Sequence, residues 1–515
     1  MTSDPHDLSR RSFVIGASAT MAITAAPAAF STPAPASAAS PLLDLSAVDA
    51  VARISRGEMT AEAYASALLA RCEALGSLNA FITVEPAQVL EAARDCDRRR
   101  RAGEKPGPMF GLPIPVKDSV NTHDYPTTAG TPALRHFRPA NDAPVVSTLR
   151  AAGAIVLGKT NLHELSYGWT SDNHAFGAVH NPYDPTRIPG GSSGGTAVAI
   201  AAHMAPLGVA EDTQGSIRVP AALCGICGFR PTTGRYPTRG CVPISSLFDQ
   251  VGPHARTVGD LALFDSVVAN VGHVLAPTSL RGVRIGVVRD YWFAGLDPAV
   301  ERVTTLAIQR IEAAGAQIID TQLPGLQSLI DLTTDAVQNH DVSIALTQYL
   351  QEFGAGVSFA ELVAQASKDI QTTFRDYVLP GAPHAVSEAV YAAARDVHLP
   401  ALRRLYRDYF ARTGVAAMVF PATMVAAPAI GEDVTVNIQG RKIRFDVAIA
   451  RNISPGSTAG IPGLVIPAGL TAAGLPVGIE FDAPAGADRA LLSLGLGLQA
   501  ALGPIPSPTI RAVHR

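Results

Sequence analysis

The sequence is poor in charge, in cysteine and in long apolar runs, and each shortage removes a class of function. Asp, Glu, Lys and Arg make up 17% of the 515 residues while 47% are apolar. An average globular chain carries about 25% charged residues, so this chain is built to bury a large interior. The formal charge is −3. No stretch combines clustered Lys and Arg with aromatic residues, so the footprint of nucleic-acid binding is missing. The dense basic run Arg98 to Arg101 closes an amphipathic helical pattern and reads as a solvated helix end. Five cysteines, Cys72, Cys96, Cys224, Cys227 and Cys241, are too few and too irregular for a disulfide framework. Cys224-Gly225-Ile226-Cys227 has the spacing of a redox or zinc half-site, but no second pair and no His pair at ligand spacing accompanies it. Buried thiols are expected there, with no metal and no cofactor.

What is present begins at the N-terminus. Ser9-Arg10-Arg11-Ser12-Phe13-Val14 is a twin-arginine pattern, followed by a mild apolar run from Val14 to Phe30 and the small-residue site Ala36-Ser37-Ala38. Basic start, short apolar stretch and A-x-A site together describe an export signal over residues 1–38. Gly, Thr and Pro break the run before it reaches about 20 strongly apolar residues, so no stable membrane insertion is expected once the signal is removed. The expected location is the periplasm or the extracellular space, and the twin-arginine route carries folded proteins. Residues 39–515 would form the mature domain.

That domain opens with helical periodicity. Leu45, Val48, Val51 and Ile54, then Tyr64, Leu68 and Cys72, recur at three- and four-residue steps, with Gly57 and Thr60 between and Thr60 as N-cap. Leu78 to Val84 reads as a strand, Pro86 to Arg101 as a helix, and Pro113 to Val116 as a short buried strand. Asp142 is placed as the cap of a helix that runs to Gly153, ahead of a strand at Ala154–Leu157. Val283–Val288, Pro298–Ala314 and Gln317–Ile319 give strand, helix, strand, and residues 325–415 look mostly helical. Alternating elements of this kind predict an α/β fold: one large domain with a central mixed β-sheet covered by helices on both faces.

The densest cluster of unusual residues runs from Pro189-Gly190-Gly191-Ser192-Ser193-Gly194-Gly195-Thr196 to Glu211-Asp212-Thr213-Gln214-Gly215-Ser216-Ile217-Arg218. A phosphate loop would need a lysine after the glycines, and none follows Gly194 or Gly195. Gly190-Gly191-Ser192-Ser193-Gly194 matches the G-x-S-x-G nucleophile elbow, but an elbow needs a strand running into it. Pro185 and Pro189 deny one. No His among His163, His174, His180 and His203 is singled out by spacing as a triad member, and each reads as structural.

A further reading fits at several independent places. Gly111 to Asp118, Pro189 to Gly195, Asp212 to Arg218 and Gly225 to Thr232 together resemble the amidase signature family, and Ser216 follows Ser192 by the family's 24 positions. The similarity covers nearly the whole mature chain, from the first helices to Gly478. The resemblance implies Ser216 as nucleophile, Ser192 as bridging serine and Lys117 as base. The chemistry agrees: a serine hydroxyl needs a neighbour to take its proton, and a lysine can do so only when burial keeps its amine neutral. A hydroxyl between them can donate and accept at once; Ser193 could hold such a bond too, and the spacing favours Ser192. Backbone N–H groups of Thr213, Gln214, Gly215 and Ser216 would form an oxyanion hole. Gln214 stands where the family commonly has Gly, which puts substrate choice in doubt. Asp212 and Arg218 would position the loop.

His163 to Gly168, Val242 to Ser245, Asn452, Pro455 to Ser457 and Ala459 to Gly463 look like the branch of mandelamide and indoleacetamide hydrolases. This implies a primary amide with a small or aryl-substituted acyl group as the small-molecule substrate, with Gly168, Trp169 and Gln214 lining its pocket together with segment 325–415. A homodimer is the candidate assembly. Two rival functions stand beside it: the glutaminase subunit of a tRNA-dependent amidotransferase, against which the export signal argues, and a secreted binding protein of the same fold without activity, against which Lys117, Ser192 and Ser216 argue.

Overall fold

Eleven strands hydrogen-bond into one sheet in the order Phe81–Thr83, Ile155–Thr160, Pro113–Lys117, Leu207–Asp212, Gln250–Ala255, Cys227–Arg230, Gly463–Leu470, Pro476–Asp482, Ala417–Pro421, Arg284–Val287, Gln317–Asp320. The computed structural model describes residues 42–272 and 275–510; the expected export signal lies outside the described residues. The sheet is mixed. Pro113–Lys117 runs parallel to both of its neighbours, and Arg284–Val287 likewise, whereas the middle of the sheet, from Leu207–Asp212 through Gln250–Ala255, Cys227–Arg230 and Gly463–Leu470 to Pro476–Asp482, is antiparallel.

Helices cover both faces, as alternation along one strand shows. Successive side chains of a strand point to opposite faces. The Leu464 side chain lies where a Cβ on Gly495, in helix Asp488–Leu502, would come within 2.4 Å of it. The next residue, Val465, faces the other way: a Cβ on Gly478 would meet both Val465 at 3.0 Å and Ala222 of helix Arg218–Cys224 at 2.5 Å. Glycine at these two positions lets a helix approach each side closely.

Local signals placed most elements. Ala47–Arg56, Ala61–Ala74 and Pro86–Arg101 are helices, and the Thr60 hydroxyl accepts from the Ala63 N–H as an N-cap should. Arg98 and Arg99 at the end of the third helix are exposed and pair with Glu91, Asp95 and Glu104. Two expectations are corrected. Asp142 does not cap helix Pro144–Ala151; Ala143 holds that position. Proline at N1 leaves one donor fewer to satisfy, and the Asp142 carboxylate is engaged by the His123 N–H at 2.9 Å and by Arg150 at 3.1 Å. The strand expected from Leu78 shrinks to Phe81–Thr83, because Leu78 ends a 3₁₀ turn and Asn79 turns left-handed at φ 53°. Its amide is spent on the carbonyls of Phe176 and Ala178.

Residues 325–415 are mostly helical as expected, the longest helix being Thr334–Glu352. This segment packs beside the loops that follow Ile155–Thr160 and Cys227–Arg230: Tyr167 Oη donates to Asn339 Oδ1 at 2.6 Å, and Ser245 Oγ to Asp341 at 2.6 Å.

Candidate active site

Strand Pro113–Lys117 is buried along its whole length and ends on Lys117. Its parallel neighbour Leu207–Asp212 ends on Glu211 and Asp212 and feeds the loop Thr213–Ser216. In open α/β sheets, ligands sit beyond the carboxyl ends of such strands. Ser192 and Ser193 lie just before helix Gly194–Ala201, and Ser216 just before helix Arg218–Cys224. The close packing there is set by Gly195, whose missing side chain would meet the carbonyls of Asn161 and Ala80 at 2.3 and 2.4 Å.

Lys117 Nζ lies 2.6 Å from Ser192 Oγ, and both residues are shut off from solvent. The neighbouring serine is used differently: Ser193 Oγ donates to the carbonyl of Glu211 at 3.1 Å, and its backbone N–H rests on the Ser216 carbonyl at 3.3 Å. Ser216 is 5% exposed, and among the described residues its hydroxyl neither gives nor takes a hydrogen bond. Burial pushes the Lys117 amine below its ordinary range, while the carboxylate of Glu211, 3.1 Å away, pulls in the opposite direction. No motif pointed to Glu211, which receives the Ser166 hydroxyl on the same oxygen that faces Lys117. Its signal in the sequence was only its place at the head of the block Glu211 to Arg218.

Beneath the loop lies a closed ionic cluster. Asp212 accepts the N–H groups of Gly215 at 2.8 Å and Ile217 at 3.1 Å, and is paired with Arg218 at 3.1 Å and Arg230 at 3.3 Å. Arg218 also meets Glu480 and the Ser457 hydroxyl. These charged side chains are buried. Facing the two guanidinium groups, Asp212 is held well below the usual carboxylate range, whereas burial raises Glu480 well above it and Asp482 to about 6. The two guanidinium groups thus face an Asp212 whose charged form is favoured, whereas burial disfavours charge on Glu480 and Asp482.

The expected oxyanion donors divide accordingly. The Gly215 N–H is taken by Asp212, whereas no described group accepts from the N–H of Thr213, Gln214 or Ser216. The Gln214 side chain reaches Thr458 at 3.3 Å, which in turn bonds Thr334 at 2.9 Å, and the Trp169 indole donates to the Gln214 carbonyl at 3.0 Å. Gly168 lies flat against His163: a Cβ there would be 2.3 Å from the imidazole Nε2. The His163 backbone N–H donates to the Ser192 carbonyl at 3.1 Å, and its ring nitrogen meets Thr170 Oγ1 at 3.0 Å. No histidine ring bonds Ser192 or Ser216 among the described residues. His174 is exposed, His180 is half-buried with its ring against the Pro185 carbonyl, and His203 faces Asp44.

Among the described residues, one trio with metal-ligand atoms, His123, Asp124 and Asp142, lies within 4.8 Å. Arg150 sits on both of its carboxylates, at 2.6 and 3.1 Å, and supplies the cation itself. Cys224 and Cys227 are free and buried, and burial pushes both thiols up. No described helix is long and apolar enough to cross a membrane.

A large mixed sheet flanked by helices, with an enclosed lysine at a strand end and serines just before two helices, is an architecture shared with solved amidases. Residues 63–492 match the amidase family. The chain is 36% identical over 450 residues to an indoleacetamide hydrolase of Agrobacterium vitis, covering 87% of this chain and 95% of that protein. It is also 36% identical over 488 residues to a mandelamide hydrolase of Pseudomonas putida, covering 92% and 94%. Among solved structures, the peptide amidase of Stenotrophomonas maltophilia superposes with a TM-score of 0.75 at 28% identity, covering 91% of this chain and 99% of that one. The chain belongs to the amidase signature family and is an amidase.

Proposed function

We propose that this amidase hydrolyses a primary carboxamide with an aryl-substituted or small acyl group to the carboxylate and ammonia, after export by the twin-arginine route to the periplasm or beyond. The observation that carries the mechanism is the 2.6 Å contact between Lys117 Nζ and Ser192 Oγ, both closed to solvent, with the Ser216 hydroxyl uncommitted among the described residues and its carbonyl held by the Ser193 N–H at 3.3 Å. In this reading Ser216 Oγ attacks the amide carbon while its proton passes to Ser192, and the Ser192 proton to the neutral Lys117 amine. The oxyanion meets the uncommitted N–H groups of Thr213, Gln214 and Ser216, each donor contributing about 3 kcal/mol. Collapse returns the proton through Ser192 to the nitrogen, ammonia leaves, and water then cleaves the acyl ester by the same relay.

The substrate class is supported by the relatives, two hydrolases named for indoleacetamide and mandelamide, both primary amides carrying an aryl group. In this reading Gly168, Trp169 and Gln214 line the acyl pocket, a role supported by the Trp169 indole bond to the Gln214 carbonyl. The amidotransferase-subunit reading is not favoured, since it calls for tRNA and the chain has no basic footprint. The test is ammonia release by the full chain from a panel of aryl and aliphatic acetamides, with Ser216→Ala as the blank. Release from at least one aryl acetamide, abolished in the blank, is expected. No release from any member would sink the substrate reading. Export is tested separately: replacing Arg10 and Arg11 by lysine should retain the protein in the cytoplasm.

A further inference from the structure

We propose that Glu211 is a positioning residue for Lys117, holding its amine against Ser192 and setting the pH at which that amine becomes available as a base. The inference rests on the lysine–serine relay described above and assigns a fourth member to it.

A neutral amine carries two N–H groups and one lone pair, and only the lone pair can take the Ser192 proton. An ionised carboxylate only accepts. Glu211 Oε1, 3.1 Å from Nζ, therefore draws an N–H toward itself and leaves the lone pair facing Ser192, 2.6 Å away. Glu211 is itself fixed from two sides. The Ser166 hydroxyl donates to the same Oε1, from a residue in the left-handed region at φ 58°, and the Glu211 carbonyl receives the Ser193 hydroxyl at 3.1 Å. One residue thus joins the base, the serine loop and the wall at Ser166. Backbone held in a sparsely populated region clusters at functional sites.

Of the acidic groups around the pair, Glu211 is the one in contact with the Lys117 amine. Asp212 on the same strand is committed to Arg218 and Arg230. Burial keeps Cys241 and Tyr349 protonated and His163 and His254 neutral. Asp249, bonded to Thr213, is pushed up to about 7 and is largely neutral in mildly acid solution. Lys159 and Asp118 nearby pair with each other at 3.1 Å.

The experiment is the pH profile of kcat/KM for amide hydrolysis in the wild type, Glu211→Gln, Glu211→Asp and Ser216→Ala. An opposite charge within a few ångströms shifts a titration by about one to three units. The acid limb of E211Q is therefore expected about one to three units lower in pH than that of the wild type, with KM little changed. E211D, which keeps the charge on a shorter arm, should move it less in the same direction. An acid limb of E211Q that coincides with the wild type or lies at higher pH overturns the proposal. If E211Q does not fold, the same reading is taken from E211D, whose unshifted limb overturns it equally. Activity surviving in S216A would instead sink the underlying relay, so the two failures are distinguishable. A merely structural Glu211 would change yield or melting and leave the limb in place.

Discussion

Replacing Asp212 by Asn tests whether the loop that carries Ser216 is held by a closed ionic cluster. The carboxylate accepts from Gly215 and Ile217 N–H and from the Arg218 guanidinium, with Arg230 at 3.3 Å and no access for water. Asn turns one acceptor oxygen into an NH₂ group, and donors lie at both oxygen positions, so a donor must face a donor whichever way the amide is set. Removing one partner of a buried pair costs about 3–5 kcal/mol, roughly two to three and a half orders of magnitude in the folding equilibrium at about 1.4 kcal/mol per tenfold. D212N should show that loss in urea unfolding, together with a fall in kcat at near-constant KM, because one of the two N–H tethers around Ser216, from Gly215 or from Ile217, is lost. Glu480→Gln is the internal contrast. Burial raises Glu480 well above the carboxylate range, so a neutral amide there should cost less than half as much. A D212N loss under about 1 kcal/mol, the scale of an exposed pair, or an E480Q loss equal to that of D212N, would refute the charge reasoning.

His254, buried under the Ile217 carbonyl at 2.6 Å, is held near 4 against an ordinary 6.5. The unfolded chain gains a proton near pH 6.5 that the folded one gains only near 4, so stability is whole above pH 6.5 and falls by about 3 kcal/mol down to pH 4. Denaturant unfolding of H254Q across that window should lack this slope, and an unchanged slope would count against it. Gly195→Ala drives a methyl into two backbone carbonyls at 2.3 and 2.4 Å, an overpacking of about 3 kcal/mol or more; normal yield and melting temperature would contradict it. Gln214→Ala removes the bond to Thr458 and should change the ratio of kcat/KM for aryl against small acyl amides by at least about tenfold. An unchanged ratio would exclude Gln214 from the acyl pocket.

Local order was legible from the chain alone because its causes are local. Hydrophobic spacing marked helices Ala47–Arg56, Ala61–Ala74 and Pro86–Arg101, and Thr60 caps the second through a bond to a residue three positions on. Where a side chain had a distant and stronger partner, local reading failed. Asp142 is drawn to Arg150 and His123 and not to a helix end, and Asn79 spends its amide on the chain at Phe176 and Ala178, cutting the strand short. The motifs pointed to Lys117, Ser192 and Ser216 through fixed spacing and family resemblance, a signal that survives without coordinates.

Which of two adjacent serines meets the lysine was decided by the fold: Ser192 Oγ faces Nζ, while Ser193 Oγ turns to the Glu211 carbonyl. Likewise Gly215, a candidate donor by its position in the loop, gives its N–H to Asp212 and leaves Thr213, Gln214 and Ser216 free. Glu211 beside Lys117 and the ion cluster of Asp212, Arg218, Arg230, Glu480 and Asp482 arise where strands distant in the chain end side by side in one sheet. Sequence determined which chemical groups the chain carries and the local turns that present them. Only the tertiary structure decided which charges share an enclosure, because Coulomb energy depends on distance through space and on the exclusion of water, and neither is a property of spacing along the chain.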